Sequence, residues 1–308
     1  MYDVVIIGGG PAGVAAGIYA SRKKLKSALI TKDFGGQSVN SASIDNFIGY
    51  KSISGADFAK VLEEQLRAND EIEIKDGKFV VSVKKIGDYL FELTDNDGIV
   101  YQTKTILYTA GSVYRKLEIP GEKEYEGKGV FYCSICDAPL MKNKPAAVIG
   151  GGNSALEAVI DLLPYASKIY LIVRSGIKGD AVYKEKIEKE SKVEIINNAN
   201  TKEIFGDAFV KGLKYQDSTA GEEKTLDVSG VFVSIGWTPN SGLVKDLVKT
   251  DIKGHILVDS KTQQSSMPGI WAAGDVADGL YAQIGPAIGE GIVALLNIYD
   301  YIISEDKK

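Results

Sequence analysis

The sequence predicts an α/β protein that contains two Rossmann-like, dinucleotide-binding units. Two stretches carry this prediction: residues 3–17 read DVVIIGGGPAGVAAG, and residues 144–158 read KPAAVIGGGNSALEA. Each is an apolar strand, a glycine-rich turn and the start of a helix built from small residues. Each is followed by a second apolar run, SALIT at 27–31 and KIYLIV at 168–173, as a βαβ unit requires. One such turn is a weak indication, but two in the same context favour an α/β fold strongly.

The glycines of both motifs stand where a dinucleotide-binding turn needs them. The motif positions are Gly8, Gly10 and Gly13 in the first stretch and Gly150, Gly152 and Ala155 in the second. The first position permits a tight turn, the second lets the backbone approach a pyrophosphate, and the third allows close helix–strand packing. The N–H groups and dipole of the following helix favour the phosphates. We therefore expect two bound nucleotides, one for each unit.

Length and composition narrow the class of protein. The chain has 308 residues, 44% hydrophobic and 25% charged, which is a globular balance with room for two domains. A formal charge of −5 argues against a nucleic-acid partner, because phosphate binding needs a basic surface. We expect no membrane span, on the reading that no apolar stretch approaches the roughly 20 residues required. The first residues show no basic region or cleavage site, so a cytoplasmic enzyme is predicted.

Both cysteines of the chain lie in one Cys-x-x-Cys, Cys133 and Cys136, within FYCSICDAP. In a reducing compartment such a pair indicates metal binding or redox chemistry. A structural zinc usually takes four Cys or His ligands, and the chain adds only His255 to the two cysteines. His255 lies in KGHILVD, whose alternation predicts a strand residue at the surface. Redox chemistry is therefore the leading interpretation, no metal is expected, and two inert buried thiols are the alternative.

The remaining elements follow from periodicity and turn residues. Residues 54–70, SGADFAKVLEEQLRAND, have helical period with Ser54 as an N-cap. Residues 71–110 alternate and contain Asp-Gly turns, which predicts β-strands. YKEKIEKES at 183–191 predicts a further helix. Residues 285–303 predict a helix that is apolar on most faces and therefore well buried.

In chain order, these motifs resemble the low-molecular-weight thioredoxin reductases and the related flavoprotein part of alkyl hydroperoxide reductase. The similarity covers essentially the whole chain. Its most specific piece is the CxxCD directly before the second glycine motif. The shared motifs are GGGPAG at 8–13, FGGQ at 34–37, DN at 45–46, TAG at 109–111, CSICD at 133–137, GGGNSA at 150–155, IGWTPN at 235–240 and AAGD at 272–275.

The resemblance implies two Rossmann-like domains of the three-layer ββα type, the second inserted in the first. Residues 1–115 and 243–308 would form a discontinuous FAD-binding domain, because the late glycine-aspartate motif returns to FAD. Residues 116–242 would form an NAD(P)-binding domain that carries the redox-active CxxC. The implied cofactors are FAD and NADPH or NADH, and the implied assembly is a homodimer.

The resemblance also assigns individual residues to the two nucleotides. Those implied for FAD are Gly8, Gly10, Pro11, Ala12 and Gly13 at the pyrophosphate, Gly35, Gly36, Gln37, Asn46, Gly111 and Gln283 toward the flavin, and Gly274 with Asp275 at the ribityl chain. Those implied for the nicotinamide nucleotide are Gly150, Gly152, Asn153, Ser154, Ala155 and Arg174. Several of the polar residues could instead cap a turn or stabilise a loop through hydrogen bonds to its backbone.

The implied activity is thioredoxin-disulfide reduction, with electrons passing from NAD(P)H through FAD and the Cys133–Cys136 disulfide to thioredoxin or a thioredoxin-like protein. Cys136 would face the flavin, and Cys133 would attack the partner. Asp137 would exchange protons with the thiolate on the flavin side, which requires partial desolvation of its carboxyl group. The alternative for Asp137 is an ordinary turn or cap residue. Alternative functions are a flavoprotein that serves a peroxiredoxin system, a reductase with a non-nicotinamide donor, and a nucleotide-binding redox sensor without turnover.

The segment after the second strand departs from the NADPH-using relatives. There, a histidine and two arginines, followed by another arginine, hold the 2′-phosphate. In this chain, LIVRSGIKGD keeps Arg174, whereas Val173, Ser175 and Gly179 stand at the other three positions and Lys178 lies one residue away. The strand does not end in the acidic residue typical of NADH sites. NADPH or NADH with weakened preference is therefore predicted first, and a different donor second.

Overall fold

The chain forms two compact units, and the computed structural model describes residues 1–41 and 43–305. Unit 1 consists of Met1–Val113 and Thr238–Lys308, and unit 2 of Tyr114–Trp237. The predicted domain boundaries, after residues 115 and 242, lie slightly further along the chain. The assignment of one nucleotide to each unit stays a prediction.

Unit 1 is built on a seven-stranded sheet. Its strands are β1 Tyr2–Gly9, β2 Ser27–Phe34, β3 Ile72–Asp76, β4 Val80–Gly87, β5 Leu90–Asp95, β6 Val100–Tyr108 and β17 Ile270–Ala272. The order is β3-β2-β1-β6-β5-β4, and β17 also pairs with β6. The pairings of β3, β2, β1, β6 and β17 are parallel, whereas β4, β5 and β6 form an antiparallel meander. The late strand β17 therefore lies only one strand away from β1, which leads into the first glycine turn.

Three helices belong to unit 1, and the sheet has a core on each face. The helices are α1 Pro11–Arg22, α2 Gly55–Arg67 and α6 Ile284–Glu305. Val4 and Ile6 pack with the helices, whereas Val5 and Ile7 pack in the opposite core, as strand alternation requires. Ser54 caps α2, because its hydroxyl accepts the N–H of Asp57 at 3.1 Å. The predicted helix, its cap and the predicted strands between 71 and 110 are confirmed.

Helix α6 departs from two sequence predictions. It is less buried than predicted: Ala294, Leu295 and Ile298 face the core, but only 33% of its most apolar window is buried. The prediction that no apolar stretch approaches membrane length was also wrong, because Ile284–Ser304 is long and apolar enough to cross a bilayer. A single helix of this kind, with one face in a core, is weak support for a membrane span.

His255 is not the surface strand residue that was predicted. It lies between the turn at residues 252–253 and an isolated β-bridge at Ile256, its side chain is 12% exposed, and its Nδ1 lies 2.9 Å from Oδ2 of Asp251. Gly254, with φ +95°, turns the chain just before it. The alternation of KGHILVD therefore corresponds to isolated β-bridges at Ile256 and Val258 rather than to a regular strand, and His255 itself is not part of them.

Unit 2 has three layers. Its strands are β8 Val130–Phe131, β9 Pro145–Ile149, β10 Lys168–Val173, β11 Val193–Asn197, β12 Ala199–Gly206, β13 Val210–Asp217, β14 Glu223–Asp227 and β15 Gly230–Val233, and its helices are α3 Ser134–Asp137, α4 Asn153–Leu162 and α5 Ala181–Glu188. The parallel sheet has the order β11-β10-β9-β15-β8, and β12, β13 and β14 form an antiparallel sheet. One core lies between the parallel sheet and α4 and α5, and a second between the two sheets. This is the predicted ββα layering.

Two further short strands, β7 Ser112–Tyr114 and β16 Trp237–Pro239, pair with each other where the chain passes from one unit to the next.

Candidate redox and nucleotide sites

Cys133 and Cys136 form a disulfide across the single turn of α3. Cys133 is the N-cap residue, and its Sγ accepts the N–H of Cys136 at 3.3 Å. An N–H that points at this sulfur favours its thiolate form once the bridge opens. Two inert buried thiols are excluded as an interpretation, because the residues are half-buried and bonded to each other. No group of three or more His, Cys, Asp or Glu side chains is placed to hold a metal within residues 1–41 and 43–305.

Asp137 follows the disulfide directly and is buried, with 7% of its surface exposed. Its backbone N–H donates to the carbonyl oxygen of Cys133 at 3.0 Å. In the part of the chain that the structure describes, no hydrogen bond reaches its carboxylate. Burial therefore raises the pKa of Asp137 to about 7. A carboxyl group of this kind can both give and take a proton near neutral pH, which an ordinary turn aspartate cannot do.

Side-chain contacts on both sides of the redox turn, residues 133–136, fix its position, and sequence reasoning missed the residues that make them. The ring of Tyr132 stacks on Tyr114 with centroids 5.3 Å apart, and its hydroxyl donates to Glu122 at 3.0 Å. After the first cysteine, the hydroxyl of Ser134 donates to Asp161 on α4 at 2.7 Å. These contacts join residues that are far apart in sequence, so no short motif could have revealed them.

The first glycine motif contains glycines of two kinds. A side chain at Gly8 would overlap the carbonyl of Thr109, and Gly8 has φ +112°. A side chain at Gly13 would overlap the carbonyl oxygen of Gly8. Gly10 is different, because its backbone is extended and its nearest neighbour would be the Cα of Gly36 at 4.0 Å. The protein itself therefore requires Gly8 and Gly13, whereas the space at Gly10 fits the approach of a ligand.

This difference gives a testable prediction. Gly10→Val is expected to yield folded protein that retains little flavin, because the branched side chain fills the open space in front of α1. Gly13→Ala is expected to lose about 1–3 kcal/mol of unfolding free energy through overpacking. Flavin content per chain and denaturant unfolding of the flavin-free forms measure the two effects separately, since bound flavin itself adds stability. Stoichiometric flavin in purified Gly10→Val would contradict the assignment of Gly10.

Three residues that lie far apart in sequence meet beside this turn. The amide Nε2 of Gln37 donates to Oγ of Ser112 at 3.0 Å and lies 3.4 Å from Oδ2 of Asp275. Burial raises the pKa of Asp275, and its hydrogen bond with Ser112 offsets this only in part. Sequence reasoning missed Ser112, although it directly follows the TAG motif. A partly buried carboxylate with so few donors fits a ligand that brings hydroxyl groups.

The other residues predicted for FAD cluster in the same unit. Nδ2 of Asn46 donates to Oε1 of Gln283 at 3.2 Å. The N–H of Gly274 donates to Glu290 of α6 at 2.8 Å, a carboxylate whose pKa burial raises. A side chain at Gly274 would touch Ala12 at 3.3 Å, so this loop packs on the start of α1. The remaining predicted positions have positive φ: Gly35 at +86°, Gly36 at +55° and Gly111 at +64°. With open backbone at Gly10, these residues fit a flavin dinucleotide.

The second glycine motif repeats this arrangement in unit 2. Gly150 has φ +147°, and a side chain there would overlap the carbonyl of Ser234. Ala155 is fully buried beside it, whereas a Cβ atom at Gly152 would meet no atom of the described residues within 4 Å. Asn153 and Ser154 begin α4 after this open glycine. Arg174 is exposed directly after β10. The turn therefore fits a second nucleotide.

Comparisons with known proteins agree with these sites. The family described as Pyridine nucleotide-disulphide oxidoreductase matches residues 2–291. The Bacillus subtilis (strain 168) protein named NADH dehydrogenase and the F component of alkyl hydroperoxide reductase from Staphylococcus aureus (strain Mu50 / ATCC 700699) are each 40% identical over 303 residues. These alignments cover 98% of this chain but 59% of the relatives, so the chain spans about three fifths of their length. The crystal structure of thioredoxin reductase from Streptococcus pyogenes MGAS5005 is 34% identical with a TM-score of 0.92, and the match covers 99% of both chains.

Proposed function

The chain belongs to the pyridine nucleotide-disulphide oxidoreductase family, and on this premise we propose that it is a FAD-dependent thioredoxin-disulfide reductase driven by NAD(P)H. Members of this family use a flavin and a nicotinamide nucleotide. The observation that carries the proposal is the Cys133–Cys136 disulfide next to Asp137, a buried carboxyl group with a pKa of about 7. The proposed partner is thioredoxin or a thioredoxin-like protein, as the names of the related solved structures suggest.

In this proposal the two open glycines receive the two nucleotides. Gly10 and the start of α1 would hold the FAD pyrophosphate, and Asp275 with Gln37 would bind groups nearer the flavin. Gly152 and the start of α4 would hold the nicotinamide nucleotide. Bound FAD would supply two-electron exchange, which matches the two electrons that a disulfide takes up.

The protein's own residues then carry out thiol–disulfide exchange. Two electrons and two protons open the Cys133–Cys136 bridge to a dithiol, and Asp137 gives one proton to the sulfur of Cys136. Cys133, as its thiolate, attacks a disulfide of the partner, which forms a mixed disulfide and releases one partner thiol. The sulfur of Cys136 then attacks Sγ of Cys133, returning its proton to Asp137. This step releases the second partner sulfur as a thiolate, which takes a proton from water, and restores the bridge.

A second candidate is a flavoprotein that serves a peroxiredoxin system through a thioredoxin-like carrier. It is favoured by 40% identity to a component of alkyl hydroperoxide reductase over 98% of this chain. The loss of most 2′-phosphate arginines, with Arg174 retained, points the same way. Both candidates use the same disulfide and differ in the protein that receives the electrons. Comparing turnover with thioredoxin and with the carrier of a peroxiredoxin system separates them.

Anaerobic mixing of the purified protein with NADH and with NADPH, in separate experiments, tests the proposal. We expect at least one nucleotide to bleach the oxidised flavin absorbance and to generate two new thiols per chain. Catalytic reduction of added thioredoxin should follow. If neither nucleotide bleaches the flavin at millimolar concentration, the donor is not a nicotinamide. If thiols appear without turnover of any carrier, the redox sensor becomes the better description.

The resemblance further leads us to propose a homodimer in the cytoplasm. Light scattering coupled to size exclusion measures the assembly: a single species at the mass of one chain would contradict it.

A further inference from the structure

The segment that follows β10 folds back onto the second glycine turn. Its backbone N–H groups at Lys178 and Gly179 both donate to the carbonyl oxygen of Gly151, at 2.6 Å and 3.1 Å. In Rossmann-like units, the residues that follow the second strand lie on the adenosine side of the nucleotide. The conformation of residues 174–180 therefore determines which groups a bound adenosine ribose meets.

Asp180 ends this segment and is bound to the first residue of α4 by two hydrogen bonds. Nδ2 of Asn153 donates to Oδ2 of Asp180 at 2.8 Å, and the backbone N–H of Asp180 donates to Oδ1 of Asn153 at 2.8 Å. Oδ1 of Asp180 accepts no hydrogen bond from any residue that the structure describes. A carboxylate with a free oxygen is thus held against the glycine turn, although it is six residues beyond the strand end and not at it.

By the resemblance, Gly179 stands at the position of the distal arginine of the NADPH-using relatives, and the packing at Gly179 leaves no room for a side chain. A Cβ atom at Gly179 would lie 2.5 Å from Cδ1 of Leu156 and 2.9 Å from Oδ1 of Asn153. Leu156 is fully buried, so it cannot move aside cheaply. The conformation of residues 174–180 therefore leaves no space for an arginine side chain at position 179.

We propose that Asp180, held by Asn153, makes this nucleotide site selective for a nicotinamide nucleotide without a 2′-phosphate, namely NADH. The inference rests on the proposed function, because it concerns the nucleotide that this same site binds. A carboxylate accepts a hydrogen bond from a free ribose hydroxyl. It repels a 2′-phosphate, which carries a charge between about −1.5 and −2. By the resemblance, Arg174 is the one guanidinium of the phosphate-binding set that this chain keeps. Arg174 and Asp180 are both exposed, so screening weakens the attraction of the one and the repulsion of the other alike. The preference therefore depends on the position at which Asn153 holds the carboxylate.

The test measures binding and not turnover. ADP-ribose and 2′-phospho-ADP-ribose are titrated calorimetrically into the oxidised, flavin-containing full chain. The wild-type protein should bind ADP-ribose about tenfold or more tightly than 2′-phospho-ADP-ribose, and the ratio of the two affinities is the quantity compared between variants. Asp180→Asn keeps an acceptor for Asn153 but removes the charge, and it should reduce this ratio about three- to tenfold by tightening the phosphorylated ligand. Glu185→Gln, which removes an exposed carboxylate on α5, is the matched control and should leave the ratio unchanged.

The possible results distinguish the role of Asp180 from the proposed reductase function on which it rests. Equal or tighter wild-type binding of 2′-phospho-ADP-ribose, or an unchanged ratio in Asp180→Asn, overturns the role of Asp180 and leaves the reductase proposal standing. Binding of neither ligand overturns both the inference and the nicotinamide donor. A ratio that falls equally in Glu185→Gln shows a general charge effect and also overturns the specific role. If Asp180→Asn alone changes the ratio while ADP-ribose still binds, the assignment is supported.

Discussion

Replacing Cys136 with serine is expected to abolish thioredoxin reduction while the protein still binds flavin and still passes electrons to it from a nicotinamide nucleotide. The reason is covalent: a serine hydroxyl cannot form or exchange a disulfide. The chain contains only two cysteines, so no other thiol can take over. Turnover should therefore fall to the uncatalysed background rather than by a modest factor.

Two assays on the same preparation measure this result. Flavin bleaching after anaerobic mixing reports electron entry, and thiol titration of thioredoxin reports electron exit. Phe209→Ser is the control, because Phe209 is 66% exposed in the turn between β12 and β13, away from the redox turn. It should retain both activities. Cys133→Ser should also lose electron exit, since the resolving and attacking sulfurs are both needed for exchange.

Residual turnover in Cys136→Ser would contradict the proposed path, because electrons would then leave by a route that does not use the bridge. A different contradiction would be a wild-type disulfide that stays closed after its flavin has been reduced. Either result would leave the nucleotide sites intact and remove the reason for the cysteine pair.

The parts of this molecule that sequence predicts are those set by local geometry. The glycine turns are predictable because positive φ and close carbonyl contacts at Gly8 and Gly150 allow no other residue. The cap at Ser54 and the strands of the meander follow from the next few residues along the chain. The cysteine pair is equally local, since three residues bring Cys133 and Cys136 into bonding distance.

The parts that the sequence did not predict depend on contacts between segments that are far apart in the chain. The hydrogen-bonded group of Gln37, Ser112 and Asp275 forms only because β17 returns to the side of β6. The pair of Asn153 and Asp180 forms because residues 174–180 fold back, whereas a motif search examines only the strand end. His255 shows the converse error, because the alternation that includes it belongs to isolated β-bridges at Ile256 and Val258, whereas His255 itself is held by Asp251 beside a turn.

Asp137→Asn is expected to slow opening of the disulfide about 100-fold or more and to flatten its pH dependence. Asparagine keeps the size of the side chain but cannot donate the carboxyl proton, and positioned acids of this kind contribute about 10²–10⁴-fold. In the wild-type protein the rate should fall as pH rises through about 7, where the buried carboxyl group loses its proton. Rapid mixing with the nicotinamide donor, from pH 5.5 to 9, follows thiol formation in both proteins.

The same substitution should change stability in the opposite sense. Burial raises the pKa of Asp137 from 3.8 unfolded to about 7 folded, so between these values the unfolded chain gives up its proton first. Wild-type stability therefore falls as pH rises through this window and stays lower above pH 7. Asp137→Asn removes this loss. It should be more stable than wild type above pH 7, by at most about 4 kcal/mol, with little difference below pH 4.

Together these two effects separate a proton-exchanging carboxyl group from a merely structural one. A turn aspartate that stabilises α3 would make Asp137→Asn less stable at every pH and would leave the pH dependence of disulfide opening in place. Glu185→Gln, an exposed carboxylate on the same unit, should show neither effect. If Asp137→Asn keeps the wild-type rate at pH 6, the proton comes from elsewhere. A variant that is both slower in electron transfer and more stable at alkaline pH can be explained only by a carboxyl group whose burial serves the reaction at a cost to the fold.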